Sequence, residues 1–256
     1  MYDNLIMKNK KVVIVTGGNK GIGLGITKKF LEEGYNVVIG ARSGLKIEKK
    51  YQKKILFIKT DVKNEKDHLQ LAKEAKNKFG RIDCYINNAG YSAWKPIEKI
   101  DDTFLSDIFN TNLKGAFWGC KVASKHLSKG GTIINISSIA GKRGSANNSA
   151  YVASKFGING LTQSLAKELG KKNIRVNAIC PVLISTKGLL KALSEEYAPG
   201  KNDPMKFISD FSIKNSALGR MPKSEEVGDL CVFLASDNAN AITGQCINID
   251  CGVLPQ

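Results

Sequence analysis

The sequence predicts an α/β protein built as one doubly wound parallel sheet, about seven strands wide, with helices on both faces. Three observations predict it. Short β-branched runs alternate with longer amphipathic stretches along the whole chain, the pattern of right-handed strand–helix–strand crossovers. The strand runs are continuously apolar, as strands covered by helices on both sides must be. The first run ends in a glycine-rich turn that opens a helix.

Residues 11–16, Lys-Val-Val-Ile-Val-Thr, form the first strand. Residues 22–33 carry helical spacing and stop at Gly34; residues 64–79 do the same and stop at Gly80. Residues 36–41, 55–60 and 82–86 are the second, third and fourth strands. Residues 101–127 hold helical periodicity long enough for two pieces. Residues 132–136 and 174–179 are the fifth and sixth strands, with a long helix over 150–169 between them. Residues 224–235 form a helix and 246–249 the last strand, completing a Rossmann-like order. No linker, repeat or low-complexity stretch divides residues 1–256, so the chain reads as one domain. The least regular region is 185–218, where Pro199-Gly200 and Asp203-Pro204 interrupt the pattern. An irregular insert after a late strand is where a substrate lid would sit.

Composition narrows the function classes. A chain of 256 residues with 42% hydrophobic content builds a full core without disulfides or metal. The six cysteines are scattered with no CxxC pair, which reads as buried, reduced cysteine in a cytoplasmic protein. No metal site is expected: ligand spacing is missing, and the only histidines, His68 and His126, sit in polar helical stretches that favour surface roles. No apolar run approaches the roughly 20 residues that span a bilayer, and residues 1–11 lack the apolar stretch of a signal peptide. The formal charge is +16, but the lysines are spread along the chain and often stand beside glutamate, as in Lys46-Ile47-Glu48. Without aromatic–basic alternation this predicts no nucleic-acid partner, while favouring anionic ligands such as phosphates.

The turn Thr16-Gly17-Gly18-Asn19-Lys20-Gly21-Ile22-Gly23 lies between the first strand and its helix. Glycines there let the backbone approach a pyrophosphate, and the helix N-terminus offers free N–H groups. Its position, more than its GxxxGxG spacing, makes it a dinucleotide site, with Gly17, Asn19, Lys20, Gly21, Ile22 and Gly23 as contacts. An NAD binder carries an acid at the end of the second strand; here Gly40-Ala41-Arg42-Ser43 has none. Arg42, beside Ser43, is suited to a 2′-phosphate, and Lys20 adds a second cation. NADP(H) is therefore the expected cofactor, with NAD(H) the alternative.

Tyr151 and Lys155 stand four apart on the long helix and share a face. Ser138 lies just past the fifth strand, at a carboxyl end where ligands of parallel sheets gather. Carbonyl reduction needs a proton for oxygen as hydride reaches carbon. A free tyrosine, with a pKa of about 10, is a poor partner at neutral pH; a lysine cation beside it would lower that value. Ser138 would hold the substrate oxygen against Tyr151.

With these residues in place the chain resembles the short-chain dehydrogenases/reductases, in the branch of roughly this length. The matches run through Thr16-Gly17 to Gly23, Asp61-Val62, Asn87-Asn88-Ala89-Gly90, Asn112, Ser138, Tyr151 and Lys155, Arg175-Val176-Asn177 and Ile242-Thr243-Gly244-Gln245. The resemblance implies that Asp61 and Val62 contact adenine and that Asn88, Ala89 and Gly90 line the nicotinamide side. It implies that Ile184 and Thr186 touch the carboxamide and that Lys155 also binds the nicotinamide ribose. Asn112 would complete a catalytic tetrad through its backbone carbonyl, which holds a water of a proton relay. A homotetramer or homodimer, packed partly through helices around Asn112 and Tyr151, is implied as well. Two positions depart from the family pattern: Pro181-Val182 stands for Pro-Gly, and Asp250-Cys251-Gly252 for Asp-Gly-Gly. Val182 is expected to narrow the substrate site.

The leading function is an NADP(H)-dependent oxidoreductase for a small keto or hydroxy compound, with sugars and polyols in range. The runner-up is a 3-oxoacyl-carrier-protein reductase, whose acidic partner would suit the positive charge. The reading from a different class is a catalytically silent NADP-binding regulator, which the intact tetrad disfavours.

Overall fold

The computed structural model describes residues 10–44 and 48–255. The readings made for residues 1–11 and for the Lys46–Glu48 neighbourhood fall mostly outside those residues; Glu48 pairs with Lys50 at 3.0 Å. Seven strands form one parallel sheet: β1 (Val12–Thr16), β2 (Asn36–Ala41), β3 (Ile55–Lys59), β4 (Cys84–Asn87), β5 (Thr132–Ile136), β6 (Arg175–Pro181) and β7 (Cys246–Ile249). Their order is β3-β2-β1-β4-β5-β6-β7, with every neighbouring pair parallel. The chain runs outward from β1 to β3 and then returns to place β4 on the other side of β1. At that reversal the connections leave in opposite directions, opening a crevice beyond the strand ends.

The eight helices described are α1 (Gly21–Glu32), α2 (Glu65–Phe79), α3 (Asp102–Phe109), α4 (Gly115–His126), α5 (Ser149–Leu169), α6 (Lys187–Leu193), α7 (Pro204–Asn215) and α8 (Ser224–Ala235). Alternation along β1 divides the core. Val13 and Val15 pack with Ile26, Phe30, Val227 and Leu234 of α1 and α8, while Val12 and Ile14 pack with Leu71, Phe79, Val122 and Ala166 of α2, α4 and α5. Each such side chain contributes about 1.5–3 kcal/mol when fully buried, which makes both faces of β1 apolar by necessity.

The stretch 101–127 is two helices. They join through a π turn, Asn110–Lys114, where the Gly115 N–H reaches back to the Asn110 carbonyl. The irregular region 185–218 holds two helices that its sequence pattern does not predict. Thr186 caps α6, accepting from the Leu189 N–H at 3.2 Å. Asp203 caps α7, accepting from the Lys206 N–H at 2.9 Å, and Pro204 occupies the first turn, where no N–H is required. Asp203-Pro204 is thus a helix start and not a break.

His68 also departs from expectation. It faces inward from α2 and is fully buried, with both ring nitrogens hydrogen-bonded; His126 is half-buried. Cys84, Cys120, Cys180 and Cys231 are buried and Cys246 and Cys251 half-buried, all six as free thiols. Among the described residues no helix is long and apolar enough to cross a membrane, and no group of three or more His, Cys, Asp or Glu side chains is placed to hold a metal.

Candidate active site

The crevice floor begins at the β1 turn. Gly17 and Gly21 both have left-handed φ values, +65° and +54°, which side-chain-bearing residues rarely adopt. A Cβ on Gly23 would collide with the Gly17 carbonyl and stand 2.5 Å from Asn88 Nδ2. The turn is therefore as tight as a chain allows. Lys20 stands at the N-cap of α1 in extended conformation without a side-chain cap, and the first turn carries no acid. Its N–H groups meet an open, positively biased approach, the setting an anion requires. Ile22 packs on the core behind the turn. A bound pyrophosphate fits this cradle.

Long-range hydrogen bonds fix the cradle. The Thr16 hydroxyl accepts from the N–H groups of Asn88 (3.0 Å) and Ala89 (3.1 Å) and donates to the Ile86 carbonyl (3.3 Å). Asn88 Nδ2 donates to the Thr16 carbonyl (2.8 Å) and to that of Gly17 (3.3 Å). The sequence motif assigns Thr16 no role of its own; a hydroxyl ending the strand just before the glycine turn is the signal that marks it. Asn19 Nδ2 donates to the Ser43 carbonyl at 2.8 Å and its Oγ at 3.1 Å, linking the turn to the end of β2. Arg42 and Lys20 are exposed at that end. Asp61 and Val62 follow β3; the Asp61 carboxylate accepts from the Lys63 N–H (3.1 Å), and Val62 is buried against Gly115.

The other wall carries Ser138, Tyr151, Lys155 and Asn112, the residues expected to form the tetrad. Ser138 caps a short 3-10 turn after β5, accepting from the Ala140 N–H at 3.1 Å and donating to the Pro181 carbonyl at 3.3 Å. Tyr151 lies in the first turn of α5, its phenol close enough to the Ser138 side chain for that hydroxyl to favour the phenolate. The Lys155 ammonium sits 5.6 Å from the Tyr151 ring centroid and donates to the Ile136 carbonyl at 2.8 Å. α5 is anchored against the strand ends by Ser137 Oγ, which donates to the Lys155 carbonyl at 3.2 Å, and by Asn159 Nδ2, which donates to that of Gly141 at 2.9 Å.

Asn112 stands at the π turn, a helical irregularity often found at functional sites. Its side chain accepts from the Tyr91 N–H (3.0 Å), donates to the Tyr91 carbonyl (2.9 Å) and reaches Ser154 Oγ (3.3 Å). The amide is thereby fully engaged. Gly90 packs between Asn112 and Lys155: a Cβ there would stand 2.9 Å from Asn112 Oδ1 and 3.8 Å from Lys155 Nζ.

Burial governs the ionisation of the two central groups. It pushes the Tyr151 phenol up to about 12, with the Ser138 hydrogen bond pulling the other way. It draws Lys155 down to about 8. The sequence reading assigns the tuning of Tyr151 to Lys155; in this structure the group that favours the phenolate is Ser138, and desolvation outweighs it. At neutral pH the phenol carries its proton.

Residues 185–218, the candidate cover, border the glycine turn. Ile184 is buried in the core near Ile22, and the Thr186 methyl lies 3.5 Å from where a Cβ on Gly21 would stand, so the start of α6 borders the glycine turn. Tyr197 accepts at 2.9 Å from Lys99, on the loop after β4, tying the cover to the opposite rim. Val182 packs with Ile139 and Val253, alongside Phe211 of α7. Its added bulk enters an apolar cluster under the cover. Cys251 holds a φ of +55°, so the residue standing for the family's glycine keeps a glycine conformation.

The fold and these convergent residues define an oxidoreductase on a doubly wound sheet. The chain belongs to the short-chain dehydrogenase/reductase family: the family model described as enoyl-(acyl carrier protein) reductase matches residues 17–254. It is 34% identical to an L-2,3-butanediol dehydrogenase of Corynebacterium glutamicum, covering 95% of this chain and 98% of that one. It is 36% identical to a 3-oxoacyl-acyl-carrier-protein reductase of Chlamydia muridarum, over 98% and 99% of the two chains. Among solved structures it is similar to a ligand-free aldohexose dehydrogenase of Thermoplasma acidophilum (TM-score 0.87, 31% identity, 97% and 98% coverage). It is also similar to a single-substitution variant of actinorhodin polyketide ketoreductase with NADPH (TM-score 0.85, 28% identity, 96% and 98% coverage). Members of this family bind nicotinamide cofactors and act on CH–OH groups or the carbonyls that correspond to them.

Proposed function

We propose that this chain is an NADP(H)-dependent reductase/dehydrogenase of a small keto or hydroxy compound, with Tyr151 as general acid/base. The observation that carries the reading is the half-buried Tyr151 phenol, protonated at neutral pH, with Ser138 beside it and the Lys155 ammonium 5.6 Å from its ring centroid. The nicotinamide, when bound, supplies or accepts the hydride. Gly17, Asn19, Lys20, Gly21, Ile22 and Gly23 would hold its pyrophosphate side, Arg42 and Ser43 the 2′-phosphate, and Asp61 and Val62 the adenine. Asn88, Ala89, Gly90, Lys155, Ile184 and Thr186 would hold the nicotinamide half. The run Gly40-Ala41-Arg42-Ser43, with no acid in it, and the NADPH named with the ketoreductase relative support NADP over NAD.

In reduction Tyr151 gives its phenolic proton to the substrate oxygen, becoming the phenolate. Ser138 donates to the same oxygen and fixes the carbonyl in line with the phenol. The Lys155 cation stabilises the phenolate until solvent restores the proton, past the Asn112 backbone. With its pKa raised to about 12, the phenol carries at neutral pH the proton that reduction consumes. Apolar side chains exposed on α3, α4 and α5 (Leu105, Phe117, Phe156) support a homodimer or homotetramer packed through these helices.

The carrier-protein reductase is the second reading, favoured by the net charge of +16 and the chlamydial relative. NADPH consumption with a panel of diketones, hydroxyketones, aldoses and acetoacetyl thioester tests both. Turnover of the small carbonyls is expected; brisk turnover of the thioester alone would install the second reading. Tight NADPH binding with no turnover on any substrate would favour the silent regulator.

A further inference from the structure

We propose that His68 is a positioning residue for the adenine side of the cofactor site, acting through the Val62 carbonyl; this rests on the cofactor reading above. α2 grips the segment after β3 at two backbone points. Asp67 Oδ2 accepts from the Asp61 N–H at 2.8 Å, and His68 Nε2 lies 3.0 Å from the Val62 carbonyl. The other ring nitrogen, Nδ1, lies 2.8 Å from the hydroxyl of Tyr85 on β4.

These two contacts determine the tautomer. A carbonyl only accepts, so Nε2 carries the proton and donates it to Val62. Nδ1 is then the acceptor, and the Tyr85 O–H donates to it. His68 and Tyr85 are both fully buried, so no solvent competes for either bond. A buried donor–acceptor chain of this kind is costly to leave half-made. It runs from the sheet, through one imidazole, to the backbone carbonyl of a residue expected against adenine. Burial also lowers the proton affinity of His68, which keeps the ring neutral and the chain intact at working pH.

The core position alone asks only for bulk, which apolar side chains also supply. What the pair adds is a fixed orientation of the Asp61–Val62 backbone. Without it the segment samples other arrangements, and the cofactor binds only the competent fraction, raising its apparent dissociation constant in proportion.

The variants are His68→Leu, His68→Asn and His68→Gln, measured by binding of NADPH and of adenosine 2′,5′-bisphosphate, by kinetics, and by thermal unfolding. Glutamine places an amide donor where Nε2 stands; asparagine falls one methylene short of the Val62 carbonyl. His68→Leu and His68→Asn should weaken both ligands roughly tenfold and raise the KM for NADPH similarly, with kcat at saturating cofactor within about twofold. His68→Gln should restore most of the affinity. If His68→Leu does not fold, the Asn–Gln contrast decides alone. Unchanged affinities in the Asn variant, with only a lower melting temperature, would overturn the proposal and leave the cofactor reading standing. An unmodified protein that binds neither NADP(H) nor NAD(H) would overturn both.

Discussion

The two sides of the crevice are held in different ways. The floor, from the β1 turn to Gly90 and across to α5, is fixed by hydrogen bonds between residues far apart in sequence: Thr16 to Asn88 and Ala89, Asn112 to Tyr91, Ser137 to the Lys155 backbone. The segment 185–218 is held by local caps, Thr186 on Leu189 and Asp203 on Lys206, by the exposed contact of Lys99 with Tyr197, and by a small set of buried side chains such as Leu193 and Ile208. The floor must place reacting groups to within fractions of an ångström, which takes many mutually supporting bonds. On the proposed function, a lid over 185–218 would admit substrate and release product, for which locally held elements are suited. On that proposed function, reaction class resides in the first region and substrate choice in the second.

That contrast breaks most visibly at Gly23. Gly23→Val places a side chain against the Gly17 carbonyl and Asn88; it should lower stability by about 1–3 kcal/mol and abolish measurable NADPH binding, read by calorimetric titration. Next in size is cofactor choice. Arg42→Asp should reverse the NADP/NAD preference, costing NADP about 1.5–3 kcal/mol, near tenfold to hundredfold in kcat/KM. A variant that kept its NADP preference would remove Arg42 from the account.

The pH dependence sharpens the floor. Lys155 titrates at about 8, so its cation is present below that value and lost as pH rises through it. Reduction should therefore fall above about pH 8, approaching tenfold per unit, while Tyr151, near 12, keeps its proton throughout that range. A reduction rate flat from about pH 7 to about pH 10 would show that the Lys155 charge is not used. The smallest effect belongs to the cover. Thr186→Ala removes the α6 cap, worth about 1 kcal/mol, and should raise the substrate KM a fewfold with overall melting almost unchanged.

The same contrast explains what was legible in the sequence. The strands, the sheet class and the glycine turn were readable because burial on both faces forces apolar runs and because tight turns force glycine. Ser138, Tyr151 and Lys155 were visible as a spacing on one helix and one strand end. Their electrostatics were not: the phenol's upward shift depends on desolvation by neighbours from several elements, which no local pattern encodes. His68 was misplaced for a related reason. Its flanks, Lys66, Asp67 and Gln70, are polar, yet it shares the inner face of α2 with Leu71, Ala72 and Ala75, and its partner Tyr85 lies on β4. The cover helices were hidden because Asp203-Pro204 reads equally as a break or a capped start, and only packing against Leu193 and Gly200 decides.

Tyr151→Phe tests the centre of the account. The substitution keeps the ring and removes only the hydroxyl beside Ser138 that the proposed mechanism uses as proton donor. Reductase turnover should drop by about 10²–10⁴-fold, while the dissociation constant for NADPH changes less than about twofold. Turnover within a few fold of the unmodified enzyme would contradict the assignment of the proton to this phenol.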